Sequence, residues 1–188
     1  LSGGNTNTLL SVIDSTKTAM GSRLLCRWIN RPLRNRVELA RRQQIVCSLK
    51  ENFHFEKINE SLERISDLER ILGRLGLRSS RPRDLTKMRD CLSSLPNLQN
   101  QLKHIDSDDT TELASRINLF PVQLDLLTKA IKENPPVVLR EGGVIAEGFD
   151  AELDELRNLS LNSGQYLIDL ETREREKTKL STLKVGFN

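Results

Sequence analysis

The sequence predicts a mainly α-helical protein, a bundle of helices with one small β-hairpin near residues 137–147 and a long helix toward the C-terminus. Three observations predict it. Aromatic residues make up only 4% of the 188 residues, whereas Leu, Glu, Arg, Lys and Asn are plentiful, a composition that suits helices and leaves too little for a β-sandwich. Apolar residues recur at three- and four-residue spacing over most of the chain. Short polar residues stand where these patterns begin, and prolines where they end. The length suits one domain or two small ones, which would bury roughly 70% of the unfolded surface if compact.

Residues 1–15, "LSGGNTNTLLSVIDS", are polar and glycine-containing around one short apolar run, and read as an extended opening segment. Met20, Leu24, Leu25, Trp28 and Ile29 then share one helical stripe, which Pro32 forbids from continuing. Asn35 caps the next helix, Glu38 completes a capping box, and Val37, Ala40, Ile45, Val46 and Leu49 supply its buried face. Phe55, Ile58, Leu62 and Ile65 form a third amphipathic piece. Residues 66–69, "SDLE", read as a second capping box opening a helix with Leu68, Ile71, Leu72 and Leu75 in register, weakened by Gly73 and Gly76 by about 1 kcal/mol each. Pro82 suits a first-turn position of the next helix, whose Leu85, Met88, Leu92 and Leu95 run to a stop at Pro96. Two shorter helices, around residues 113–120 and 122–131, are split by Pro121, and Pro135 and Pro136 end the helical half.

The hairpin is expected where two β-leaning runs, Val137-Val138-Leu139 and Val144-Ile145-Ala146, flank Glu141-Gly142-Gly143. Gly142, Gly143 and Gly148 are its hinge or turn residues. Asp150 caps a helix whose first turns carry Glu152, Asp154 and Glu155, where carboxylates favour the helix dipole. Its apolar residues thin out toward "ETREREKTK", where Glu171 and Arg175 form a favourable i,i+4 pair. A helix apolar at one end and polar all round at the other is expected to leave the body as an arm roughly 45 Å long. Leu183, Val185 and Phe187 then alternate with a period of two, as in the first strand of a further domain. The chain begins without Met and stops in mid-pattern, so a piece of a longer polypeptide is expected. Three regions follow: a helical body over 1–149, a long helix over 150–181, and a strand over 182–188.

The net charge of +3 is unevenly spread. Residues 17–50 hold Lys17, Arg23, Arg27, Arg31, Arg34, Arg36, Arg41, Arg42 and Lys50 against a single acid, Glu38, and residues 70–89 are basic again. From 106 to 155 the balance reverses. Such asymmetry serves either an external anion or pairing between parts of the protein. Arg23, Arg27, Arg31, Arg34, Arg41, Arg42 and Lys184 are the candidate cations, facing an external polyanion or another domain. Cys26, Cys47 and Cys91, odd in number and each within a helical pattern, read as reduced thiols. No apolar run is long enough for a membrane span.

Catalytic motifs are missing. "EGGVIAEG" lacks the Gly-Lys-Ser/Thr that grips phosphate and metal, so its glycines read as turn geometry rather than a phosphate cradle. His54 and His104 have no ligand-spaced Cys or carboxylate neighbours, and Asp108-Asp109 stand in a helix-start context. No catalytic, cofactor-binding or metal-binding residue is assigned.

The ordered motifs "NTLLSVID" (7–14), "TKTAMGSRLLCRWINRP" (16–32), "RQQ" (42–44), "DLERILGRL" (67–75), "RPRDL" (81–85), "GGVIAEGF" (142–149), "ELDELR" (152–157) and "TLKVGFN" (182–188) resemble the bacterial MutS family of DNA mismatch-repair proteins. Gly76 departs mildly, at a position where alanine is common in that family. The resemblance implies the elongated α-helical core, or lever, region, ending where a DNA-contacting β clamp begins. It implies a mechanical role, coupling the nucleotide state of an ATPase to clamping on mismatched double-stranded DNA. ATP and Mg would belong to an ATPase domain of the longer parent, not to these residues. Connector, ATPase and clamp domains of the same chain, a second copy of the parent and a MutL-type protein are the implied partners, in a cytoplasmic, nucleoid-associated bacterial setting. The alternatives are a self-sufficient helical nucleic-acid-binding module using the basic 17–42 cluster, and an enzyme.

Overall fold

Short polar side chains cap five of the described α-helices. The structure, a computed structural model, describes residues 8–184, except for the side chain of Ser163. Thr8 opens α1 (Leu9–Ile13) through a reciprocal pair: the Ser11 N–H donates to Thr8 Oγ1 at 3.1 Å, and the Thr8 N–H to Ser11 Oγ at 3.0 Å. This box turns into helix a run expected to be extended. Thr18 caps α2 (Ala19–Asn30), accepting from the Gly21 N–H at 3.0 Å, and the helix ends just before Pro32. Asn35 caps α3 (Arg36–Lys50) by accepting from the N–H groups of Val37 and Glu38. Glu38 pairs with Arg42 instead of reaching back to the cap, so only half of the expected box forms.

The expected buried face of α3 is corrected as well. Val37 is 80% and Val46 55% exposed, while Ser48 is the buried residue of this helix. Asn52 and Phe53, both at positive φ, then bend the chain into α4 (His54–Glu63). The cap of α5 (Leu68–Gly76) is Asp67, not Ser66: its carboxylate accepts the Arg70 N–H, and the Ser66 N–H points at Cys91 Sγ. Leu77 and Ser79 close that helix by donating backbone N–H groups to Gly73 and Arg74 carbonyls.

Pro96 does not stop α6, which runs from Pro82 to Lys103. A proline inside a helix removes one N–H and costs about 3 kcal/mol. Leu98 and Leu102, on the turns that follow, are buried, and their burial offsets that cost. The Ser93 and Ser94 hydroxyls on the preceding turn donate to the Asp90 and Cys91 carbonyls. Next come α7 (Asp108–Ser115), whose first turn holds Asp108 and Asp109, and α8 (Pro121–Ala130), entered through Phe120 at φ 49°. The core lies where α3, α4, α6 and α7 meet: Ile58, Leu98, Leu102, Ile105 and Ala114, flanked by Leu49, Leu62, Ile65, Leu113 and Ile117. Cys91 is buried beside this core, Cys26 half-buried and Cys47 exposed, all as free thiols.

The chain divides into two compact units between Val144 and Ile145. Within the first, the expected hairpin does not form. Val138 is extended, but Leu139–Glu141 tightens into a 3-10 turn, and the Lys132 N–H, not the 137–139 run, donates to the Val144 carbonyl at 3.0 Å. Burial explains the choice: Val144 is 8% exposed, whereas Val137, Val138 and Leu139 are 44%, 46% and 73% exposed and gain nothing from pairing. No strand ladder occurs among the described residues.

In the second unit Asp150 caps α9 (Ala151–Leu161), accepting from the Leu153 N–H at 3.0 Å. The single long helix expected here is interrupted at Asn162 (φ −104°, ψ 22°) and resumes as α10 (Ser163–Thr178). Lys179, at φ 57°, ends it short of residue 181, and the Leu183 N–H closes a turn on Leu180 O. The expected clamp strand falls chiefly on residues 185–188, outside the described residues, and residues 182–184 are not a strand.

Candidate functional site

The basic stretch resolves into two groups of cations. Arg23 donates from its two Nη atoms to both Asp67 oxygens at 2.8 and 2.7 Å, and from Nε and Nη2 to Glu69 at 3.1 and 2.6 Å. Arg41 pairs with Asp109 and Glu112, and Arg42 pairs with Glu38 while its guanidinium lies 3.9 Å from the centre of the Trp28 ring. These three arginines are thus held by their own fold. Arg27, Arg31 and Arg34 are exposed and carry no side-chain ion pair among the described residues, and Lys184 is likewise exposed in the second unit. Lys17 adds a link to Glu63 at 2.8 Å.

These partners escape sequence reasoning for a simple reason. The acids that hold Arg23 and Arg41 lie 44, 46 and 68 residues away for the hydrogen-bonded pairs, beyond any local spacing rule. Only the acidic balance of residues 106–155 hinted at Asp109 and Glu112. Trp28 was visible as part of an apolar stripe, and nothing in the pattern marked it as a platform for Arg42.

α2 has no buried residue, and Arg23 ties it to Asp67 and Glu69 at the start of α5. Hydrogen bonds from Arg23 hold the Asp67 carboxyl at about 2, below its ordinary 3.8, against the opposing effect of burial. Because the folded value lies below the unfolded one, this stabilisation is complete above about pH 4 and is lost as pH falls toward 2. Acidification through that window is expected to change the fluorescence of Trp28, the sole tryptophan, as α2 loosens. Asp67→Asn keeps a good cap but discards the charge, and the step should vanish. A step of equal size in the variant would show that other carboxylates hold α2.

The glycines answer to backbone geometry. Gly142, Gly143 and Gly148 have φ of 72°, 66° and 82°, and a Cβ on any of them would meet open space, so conformation and not crowding requires glycine. The Gly142 N–H donates to Leu139 O at 3.1 Å and the Gly148 N–H to Asp154 Oδ2 at 2.6 Å. Arg157 ties the same turn by donating to Ile145 O and Asp154 Oδ1. Donors engaged in this way do not form a phosphate cradle. Among the described residues no three His, Cys, Asp or Glu side chains gather as a metal site, and no helix is long and apolar enough to cross a membrane.

The family model for MutS domain III matches residues 1–183, nearly the whole chain. The chain belongs to the MutS family. Its resembling motifs now have places: "TAMGSRLLCRWIN" is the cap and body of α2, "DLERILGRL" the cap and body of α5, and "RPRDL" the start of α6. MutS domain III is helical, as this chain is, and the family places it in DNA mismatch repair. In this MutS domain III the arginine of "GSRLL", Arg23, meets the aspartate and glutamate of "DLER", so two of the motifs are joined by one ion-pair cluster.

Proposed function

We propose that this MutS domain III is the coupling element of a mismatch-repair ATPase, passing nucleotide-dependent changes to the part that closes on mismatched double-stranded DNA, with no catalysis of its own. The observation that carries the reading is the helical rod α9–α10. Its two segments cover residues 151–161 and 163–178, roughly 17 and 24 Å at about 1.5 Å per residue, and none of their described side chains is buried. Leu156, Leu161 and Ile168 on it are 57%, 83% and 60% exposed. Segments of this kind contribute little to a core and can pass displacement only through the joint at Asn162.

ATP and Mg are assigned to an ATPase domain elsewhere in the parent. The residues present do not fit them, because the glycine segment lacks a phosphate-gripping Lys and Ser/Thr and its Gly142 and Gly148 N–H groups are engaged. The proposed partners are mismatched duplex DNA, the ATPase, connector and clamp domains of the same chain, a second copy of the parent and a MutL-type protein, in the bacterial cytoplasm at the nucleoid. The internal pairing of Arg23, Arg41 and Arg42 supports this reading over direct DNA binding by the basic stretch.

The test is made in the parent protein. Leu156→Pro, in the middle of α9, breaks that helix at an exposed site. ATP turnover should persist while ATP-triggered release from a mismatch slows by about tenfold, and unchanged release would sink the coupling role. A second reading, a self-sufficient nucleic-acid module, is favoured by Arg27, Arg31 and Arg34, which carry no side-chain ion pair among the described residues. It requires tight duplex binding by the 188 residues alone, with steep loss of affinity as salt rises.

A further inference from the structure

The chain has only two histidines, and the fold brings both to one place. His54 and Lys57 on α4, with Asn97, Asn100 and Gln101 on α6 and His104 at its C-terminal end, line a concavity of about 310 Å³. Among the described residues no carboxylate lines it, although 26 of the 188 residues are Asp or Glu. Each lining side chain carries an N–H group, and that of His104 Nδ1 is spent on Asn100 O.

Hydrogen bonding at the floor orients these donors. The Ser61 hydroxyl donates to Gln101 Oε1 at 3.0 Å and accepts from Asn97 Nδ2 at 3.2 Å. The Gln101 carbonyl is thereby occupied and its amino group keeps its donors, while Asn97 retains a second N–H. The Lys57 ammonium and the His54 ring have no partner among the described residues. His104 Nδ1 lies 2.7 Å from Asn100 O, a contact that anchors its ring. Two helices therefore present an ammonium, two imidazoles and three carboxamides to one space. A divalent metal is a poor match, since two imidazoles fall short of about four ligands and an ammonium opposes the charge. An oxyanion with several acceptor oxygens matches both the charge and the donors.

We propose that this α4–α6 concavity binds a phosphate group, either free phosphate or a phosphodiester of nucleic acid. The site goes beyond the coupling role and stands apart from it, because its test needs neither ATP turnover nor a mismatch.

Inorganic phosphate is titrated into the isotope-labelled 188-residue chain at constant ionic strength, with chloride as the balancing anion, and followed by NMR. The side-chain amides of Gln101 and Asn97 and the backbone of residues 54–57 are expected to shift saturably in the millimolar range. Lys57→Glu, at an exposed position, should weaken the binding by about tenfold or more. Gln101→Glu keeps the acceptor for Ser61 and puts a negative charge in the same volume, so it should do likewise. A second arm adds a short DNA duplex at equal phosphate concentration. Tighter binding on the same residues assigns the phosphodiester as the source, and response to inorganic phosphate alone assigns the free ion. Shifts that never saturate, that fall on residues 27–36 instead, or that survive both substitutions would overturn the site.

Discussion

Leu102→Ala is expected to lower the stability of the chain by about 3 kcal/mol, the midpoint of a urea titration falling with an unchanged slope. Leu102 is 5% exposed on α6 and belongs to the cluster of Ile58, Leu98, Ile105 and Ala114. Truncation removes its own burial and leaves a cavity that helices anchored on several sides cannot close. Alanine is the better helix former, so the loss reads packing rather than propensity. Leu72→Ala is the control: Leu72 is 51% exposed on α5, and its loss should stay within about 0.5 kcal/mol. Equal costs at the two positions would mean that the core does not lie under α6.

The second large effect is expected at Arg74. Asp84 is 7% exposed and accepts Arg74 Nε at 2.8 Å, Arg74 Nη2 at 2.6 Å and the Arg81 N–H at 2.9 Å. Arg74→Ala leaves this carboxylate with the backbone N–H as its remaining hydrogen-bond partner. The cost is about 2 kcal/mol, below that of a fully buried pair because the Arg74 side chain is 40% exposed. Burial pushes the Asp84 carboxyl upward, but the Arg74 bonds, the Arg81 N–H and the nearby Arg74 and Lys87 charges outweigh it, and the net shift is downward. The pair therefore stabilises above the ordinary carboxylate range, and its contribution is lost as pH falls below it. In Arg74→Ala that acid-dependent part of the stability should shrink. Adding Asp84→Asn should recover part of the loss, because an amide tolerates the site better than an unpaired charge. No recovery in the double variant would show that Arg74 acts through its packing alone.

Sequence reasoning reached what local chemistry controls. The Asn35 and Asp150 caps and the end of α2 before Pro32 each depend on a few neighbouring residues, and each is present in the fold, whereas the helix expected over 113–120 ends at Ser115 and Pro121 is the first residue of α8 rather than a break between helices. It failed where distant contacts decide. Pro96 looked like a stop, yet Leu98 and Leu102 have a core to enter on the far side of it. The 137–139 run looked like a strand, yet Val144 finds burial and the Lys132 N–H instead. Val37 and Val46 looked buried because they are apolar, but α3 turns Ile45, Ser48 and Leu49 inward. The candidate cations were legible one by one; their sorting into held and unpaired groups was not, because the acids that hold Arg23 and Arg41 come from α5 and α7.

The break at Asn162 gives the α9–α10 rod uneven compliance. A continuous helix bends a little everywhere, whereas one with a single irregular residue behaves as two stiff segments sharing a joint. Asn158, Asn162, Gln165 and Asp169 line one concave face across that joint, together with Leu159 and Tyr166. Bending about that joint opens or closes the face that holds Asn162.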